Sequence, residues 1–413
     1  MKRYVIATLL VLAACTPDKP PVAEQAKASA TDQAFYAQKF SKKPEVPAMT
    51  ALGREMFFDD SLSASGKLAC ASCHDPAQAY GPPDSQPVRF GGADQLQTGF
   101  RAAPSLRYLQ SVPPFTEHYY EEDDDDSLDQ GAAGGRTWDG RAHSAHEQAM
   151  LPLLSAQEMA NADAAAVVAK LRAAPYAAQF RDTFGDDVFD DGDRAWRAAL
   201  LALEVFQQSP ADFYPYDSKY DGFLRHQVEL SAQELRGLKL FEAQDKGNCA
   251  SCHPNRIRSG ALPTFTDFGY VALGVPRNAG IPANGDAGFH DLGLCGPLRK
   301  DLADRAEYCG RFRTPSLRNV ALRKTYFHNG AYATLREAVD FYARRDVQPQ
   351  HFYPRDRDGK PSQFDDLPEA YRGNVNMDPP FGGKPGGKPA LSESEIDDLI
   401  AFLGTLSDGY KAP

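Results

Sequence analysis

Apolar residues recur at helical spacing in two stretches that close the two halves of the chain. From Arg194 to Gln208 the residues Trp196, Leu200, Leu203 and Phe206 fall on one face, and from Ser392 to Leu406 the residues Ile396, Leu399, Ile400 and Leu403 do the same. Each stripe predicts an amphipathic helix with its apolar side in a core. Ser392 with Glu395, and Ser231 with Glu234, have the spacing of capping boxes, so the second pair opens a helix through Leu235–Phe241. A matching helix is predicted over Ala51–Phe58. Between the halves, Ser209–Tyr220 is rich in Pro, Tyr and Asp and reads as a hinge or linker.

The N-terminus has a different pattern. Lys2 and Arg3 precede an apolar run from Tyr4 to Ala14 that is too short to span a bilayer and suits an export signal. It ends in Leu12-Ala13-Ala14-Cys15, which resembles a bacterial lipobox and makes Cys15 the expected lipidation site. Residues 16 to 45 are rich in Pro, Ala, Lys and Gln with little to bury, which predicts a flexible tether. With 413 residues, 42% of them hydrophobic, the chain can build about two domains with ample core. A formal charge of -11 argues against a nucleic-acid partner.

The candidate chemistry lies in Cys70-Ala71-Ser72-Cys73-His74 and its repeat Cys249-Ala250-Ser251-Cys252-His253. Two cysteines three apart can hold a haem through thioethers, and the histidine behind the second is then placed under the iron as axial ligand. A four-thiolate zinc site or a pair of redox dithiols would use the cysteines but not the repeated histidine. The expected cofactors are therefore two covalent haems, on Cys70, Cys73, Cys249 and Cys252, with His74 and His253 as axial ligands. Of the seven cysteines, Cys295 and Cys309 remain, and a disulfide and two free thiols are both compatible with their spacing.

Other segments repeat around the two haem motifs. Arg101-Ala102-Ala103-Pro104-Ser105-Leu106-Arg107 has its counterpart in Arg313-Thr314-Pro315-Ser316-Leu317-Arg318, Trp138-Asp139-Gly140-Arg141-Ala142 in Phe327-His328-Asn329-Gly330-Ala331, and Glu147-Gln148-Ala149 in Glu337-Ala338. The expected fold is mostly α, with two tandem homologous cytochrome c-like haem domains and long loops. The divisions are a signal at 1–14, a tether at 15–45, a haem domain at 46–208, a linker at 209–225 and a second haem domain at 226–413.

Phe57-Phe58-Asp59, the two haem motifs, Trp138-Asp139-Gly140-Arg141, Gln148, Glu158-Met159, Pro315-Ser316-Leu317-Arg318-Asn319 and Phe327-His328-Asn329-Gly330 together resemble the bacterial dihaem cytochrome c peroxidase and MauG family, from about residue 46 to the C-terminus. The resemblance implies that the second iron takes its other ligand fourteen residues beyond His328, at Tyr342. Ordinary dihaem peroxidases have methionine there and the MauG branch has tyrosine. It implies an open distal side on the first, peroxidatic haem, where the duplication puts Pro152 close to the place of Tyr342. Glu158 then acts as acid/base, Gln148 as positioning group and Trp138 as relay between the haems. His118, the one histidine between the first haem motif and Trp138, lies beside an acidic run from Glu121 to Asp126 and reads as a solvated side chain. Calcium is doubtful, because Ala102 stands where the family has a ligating asparagine. The partners implied are hydrogen peroxide and a periplasmic donor or substrate protein, and the membrane is reached only through a lipid anchor. Two rival readings are a peroxide-detoxifying cytochrome c peroxidase fed by a small cytochrome or copper protein, and a dihaem electron carrier with no peroxidase activity.

Overall fold

A computed structural model describes residues 33–119 and 129–411. The signal, Cys15, most of the tether and the acidic run lie outside the described residues.

The chain is mostly helix and loop. Helix α1 (Val46–Phe58) opens the first half, and α2 (Ala145–Leu154), α3 (Ala164–Ala173), α4 (Ala177–Phe184) and α5 (Gly192–Gln207) follow a long loop region. After the short α6 (Pro210–Phe213) and α7 (Lys219–Leu224), the second half contains α8 (Ala232–Glu242), α9 (Leu335–Arg344) and α10 (Glu393–Gly404). Side-chain oxygens of Ser144, Asp163, Asp191, Ser231, Thr334 and Ser392 cap the N-termini of α2, α3, α5, α8, α9 and α10. Among the described residues the strands form two antiparallel pairs, β1 (Phe90–Gly91) with β2 (Gln97–Thr98) and β3 (Tyr270–Val271) with β4 (Phe312–Arg313).

The two halves are built on the same helix joint. Helix α1 crosses α5 at Gly53, where a Cβ would lie 2.0 Å from the Ala202 carbonyl oxygen, and α8 crosses α10 at Gly237, where a Cβ would lie 2.0 Å from the Asp398 carbonyl oxygen. Only glycine lets the backbones approach so closely. Beside each crossing stands an edge-on aromatic pair, Phe57–Phe206 at 5.4 Å and 62° and Phe241–Phe402 at 5.2 Å and 61°. Each pair belongs to its own apolar cluster, one drawn from the first half and one from the second.

Segment 209–225 is held between these clusters. Phe213 is buried in the first and Tyr220 in the second. The Tyr108 peptide N–H donates to the Phe213 carbonyl at 3.0 Å and the Tyr220 N–H to the Thr405 carbonyl at 3.0 Å. What its polar composition marks as a hinge is an ordered seam, because its two aromatic rings are needed in the cores on either side. Buried ion pairs fasten the seam further: Arg318 with Asp221 at 2.7 Å and Arg107 with Asp408 at 2.7 Å. Losing either partner would leave a charge in the interior.

A disulfide joins Cys295 to Cys309. It belongs to a small apolar cluster with Tyr270, Leu294 and Tyr308.

Candidate haem sites

Both haem motifs adopt the same local geometry. Cys70–Ser72 and Cys249–Ser251 each form a single 3-10 turn. The following histidine N–H returns to the first cysteine's carbonyl, at 3.0 Å for His74 and 2.9 Å for His253. Nδ1 of His74 donates to the Tyr80 carbonyl at 3.1 Å, and Nδ1 of His253 to the Phe265 carbonyl at 2.8 Å. Tyr80 and Phe265 both sit in the left-handed region, at φ 54 and 56, which turns those carbonyls toward the imidazoles. Because a carbonyl only accepts, each imidazole carries its proton on Nδ1 and leaves Nε2 free to ligate, oriented as metal-bound histidines are. Burial lowers His74 and pushes His253 down to about 4, so both remain neutral.

The thiols are not tuned for redox exchange. Burial pushes Cys70 and Cys249 up to about 12 and Cys73 up to about 11, opposite in direction to reactive dithiols. Among the described residues no group of three or more His, Cys, Asp or Glu is arranged to hold a metal ion.

The second motif opens onto a cavity lined by Cys249, Cys252, His253 and Tyr342 and reaching Trp138 and Arg323. Tyr342 stacks on Phe381 with ring centroids 5.3 Å apart. Its hydroxyl pKa is raised, first by burial and then by Cys252 and Cys249, which places the ring close to that motif. Met377, the methionine nearest in sequence, is 50% exposed and directs its sulfur to Arg345 at 3.3 Å.

Trp138 lies on the same cavity, on the side of the first half. Its Nε1 donates to the Ala102 carbonyl at 2.8 Å, and the Ala102 N–H donates to the His328 carbonyl at 2.7 Å. The structure moves the repeat by one residue from the correspondence read in sequence. Arg136 bridges Ala142 and Tyr326 bridges Tyr332, both at an offset of 190, so Trp138 pairs with His328 and not with Phe327. Thr137 and Phe327, with φ 72 and 66, agree with that register. The one-residue difference arises because Trp138 and His328 are chemically unlike, so the aromatic match to Phe327 misleads. The same offset pairs the caps Ser144 and Thr334, and it sets Gln148 opposite Ala338 and Pro152 opposite Tyr342.

In the first half, Gln148 and Pro152 stand one turn apart on α2. The chain then folds back, the Met159 N–H donating to the Pro152 carbonyl at 3.0 Å and the Gly92 N–H to the Glu158 carbonyl at 2.8 Å. Glu158 is thereby brought beside α2, and its charge acts on both Cys70 and Cys73. Glu158 is exposed. Desolvation raises its pKa, with Ser155 and Arg141 pulling the other way. His118 is half exposed and paired with Asp129 at 2.5 Å, away from these groups.

Several charged groups carry no signal in the sequence. Arg101 binds Asp139 at 2.6 Å and Asp291 at 2.6 Å, and with Arg141 it holds Asp139 down at about 2 against burial. Arg313 and Arg323 line the cavity, and burial lowers the pKa of both. Nη1 of Arg313 and Nε of Arg323 have no hydrogen-bond partner. Buried donors of this kind suit the carboxylates of a haem, so the cavity fits that group in shape, in axial donors and in charge. At Ala102 a calcium ion would find no side-chain oxygen, and only a backbone carbonyl that already accepts from Trp138 Nε1.

Comparison with known proteins agrees with this geometry. A family model described as di-haem cytochrome c peroxidase matches residues 47–229. The methylamine utilization protein MauG of Paracoccus denitrificans is 36% identical over 378 residues, covering 90% of this chain and 91% of that one. The chain belongs to the di-haem cytochrome c peroxidase and MauG family. Two covalently bound c-type haems are the family's cofactors, and haem peroxidase chemistry is its activity. The crystal structure of the diheme peroxidase BthA from Burkholderia thailandensis superposes with a TM-score of 0.78 at 38% identity, covering 91% of this chain and 89% of that one. The cytochrome c551 peroxidase of Nitrosomonas europaea, 28% identical over 304 residues, covers 73% of this chain and 74% of its own length.

Proposed function

We propose that this member of the family is a MauG-like peroxidase. In this reading hydrogen peroxide reacts in the first half, and the second half, closed by Tyr342, shares the oxidising equivalents. The observation that carries it is the pairing of Gln148 and Pro152 with Ala338 and Tyr342 at matching places on α2 and α9. Bound haem supplies an iron that exchanges electrons with peroxide. Pro152 offers that iron no donor, whereas Tyr342 presents a hydroxyl oxygen to the cavity it shares with His253.

Glu158 takes a proton from one peroxide oxygen and returns it to the other, and the desolvation that raises its pKa makes it a stronger base for that exchange. The Gln148 amide holds the peroxide in place. Trp138, anchored through Ala102, provides an aromatic bridge between the two halves. An anionic oxygen donor at Tyr342 favours the oxidised iron, and this supports long-range electron withdrawal from a tryptophan or tyrosine of a partner protein. The cell compartment is the periplasm, with Cys15 as a lipid anchor.

The cytochrome c551 peroxidase among the relatives keeps a second reading in view, in which a small donor protein supplies electrons for peroxide removal. Electron paramagnetic resonance of the ferric protein, before and after one equivalent of peroxide, separates them. One high-spin and one low-spin haem, both silenced by peroxide without prior reduction, is the expected result. Two low-spin haems that react only after partial reduction would return the protein to the ordinary peroxidases, and two that never react would make it an electron carrier.

A further inference from the structure

On the far side of α2 from Gln148, a buried pair of titratable groups meets an exposed phenol. Nδ1 of His146 lies 2.9 Å from Oε2 of Glu204, and because the carboxylate accepts, the imidazole donates. Tyr36 donates its hydroxyl to Oε1 of the same carboxylate at 2.8 Å and stands 3.4 Å from His146 Nδ1. Nε2 of His146 is 3.2 Å from the Ser144 hydroxyl. Phe35 stacks flat on the imidazole, ring centroids 3.6 Å apart and planes at 3°. The imidazole and carboxylate are buried, with side chains 5% and 11% exposed, whereas Tyr36 is 52% exposed.

The position of this cluster matters as much as its chemistry. His146 and Gln148 are two residues apart on one helix, about 200° around its axis. The Tyr36 cluster is therefore separated from the peroxide-facing side of α2 by about one helix thickness, roughly 10 Å. Arg136, buried and two residues before Trp138, is within electrostatic reach of both Glu204 and Tyr36. A solvent-facing phenol whose proton already points at a buried carboxylate can lose an electron and a proton together, without leaving a charge on the ring.

We infer that Tyr36 is a redox-active residue that hands oxidising equivalents from the haem pair to a phenolic hydrogen donor at the protein surface. The inference rests on the proposal above that peroxide oxidises the haem pair. Tyr36 gives one electron to the oxidised pair while its phenolic proton moves to Glu204 Oε1, leaving a neutral phenoxyl radical. The donor then loses one electron to that radical and its own proton to solvent, and Glu204 returns the proton that re-forms the Tyr36 O–H bond. Two such turns consume the two oxidising equivalents of one hydrogen peroxide, giving two waters and two donor radicals.

The test uses the dihaem holoenzyme, mixed with one equivalent of peroxide, frozen at intervals and followed by electron paramagnetic resonance and optical spectroscopy, with p-cresol as the donor probe. The expected result is a radical signal that narrows when tyrosine is ring-deuterated and is absent from Tyr36→Phe. In that variant the oxidised haem spectrum decays several-fold more slowly, and p-cresol loses its accelerating effect. Glu204→Gln, which keeps the phenol but removes its proton acceptor, should show the same slow decay. An unchanged radical and unchanged decay in Tyr36→Phe would overturn the inference while leaving the peroxide reading intact. Failure of peroxide to alter the haem spectrum of the unsubstituted protein would overturn both.

Discussion

The two halves share a helix joint, a haem motif and an imidazole held by a left-handed carbonyl, and they differ at matching positions on α2 and α9. Gln148 and Pro152 in one half correspond to Ala338 and Tyr342 in the other. Around the haem motifs the repeat keeps finer details. Ser105 Oγ binds the Ala79 carbonyl at 2.7 Å as Ser316 Oγ binds the Thr264 carbonyl at 2.6 Å. A duplicated scaffold thus presents the same cysteines and histidine in both halves while differing at two side chains one helical turn apart on α2 and α9.

The most severe way to break the comparison is to copy the second half into the first. Pro152→Tyr should give the first iron a sixth donor and suppress its reaction with peroxide by more than the effect of any other single change on α2. Loss of the high-spin signal checks it, and a variant that keeps full peroxide reactivity would mean that the residue at this position does not decide access. Next comes the acid/base group. Glu158→Gln should slow the peroxide step by about 10²–10⁴-fold with both haems still attached. In the unsubstituted protein the same step should quicken as pH rises through the Glu158 pKa, since the carboxylate is the active form. Desolvation raises that pKa, so the limb lies above the usual carboxylate range and should vanish in the variant. Stopped-flow rates across pH read both effects, and unchanged rates would remove Glu158 from the chemistry.

Trp138→Phe is expected to act on the link and not on either end. Spectral change at the first haem should persist while that at the second lags behind it. Equally fast oxidation of both haems in this variant would show that the path avoids Trp138.

What could be read from the sequence follows from how far apart the interacting residues lie. The haem motifs are contiguous, so chemistry and position are read together, and the closing helices announce themselves by period. Tyr342 depended on resemblance, because nothing local distinguishes it from a tyrosine packed on a helix. The register of Trp138 is not legible in the sequence because its partner His328 shares no side-chain character with it, and bridge pairs and backbone φ values reveal the match. The ion pairs of Arg101, the donors on Arg313 and Arg323, and the cluster of Tyr36 with Glu204 join residues up to 190 positions apart, and no spacing encodes such contacts. Segment 209–225 shows a related effect: its Pro and Asp content resembles a loop, while two aromatic rings bury it against both halves.

The smallest predicted effect concerns what the halves have in common. Gly53→Ala and Gly237→Ala each place a methyl group 2.0 Å from a carbonyl oxygen of the facing helix. Neither carbonyl can retreat without moving its helix, so both changes should destabilise by about 1–3 kcal/mol, the usual range for overpacking. If the joint is the same device in both halves, the two losses should match within experimental error in chemical denaturation of the holoenzyme. Each variant should also loosen only its own haem, seen as increased exposure of that haem's ferric spectrum to added imidazole. Unequal losses would show that one crossing bears more of the fold than the other. That outcome would confine the likeness of the halves to their geometry, because the seam at Phe213 and Tyr220 would then be distributing the load unevenly between them.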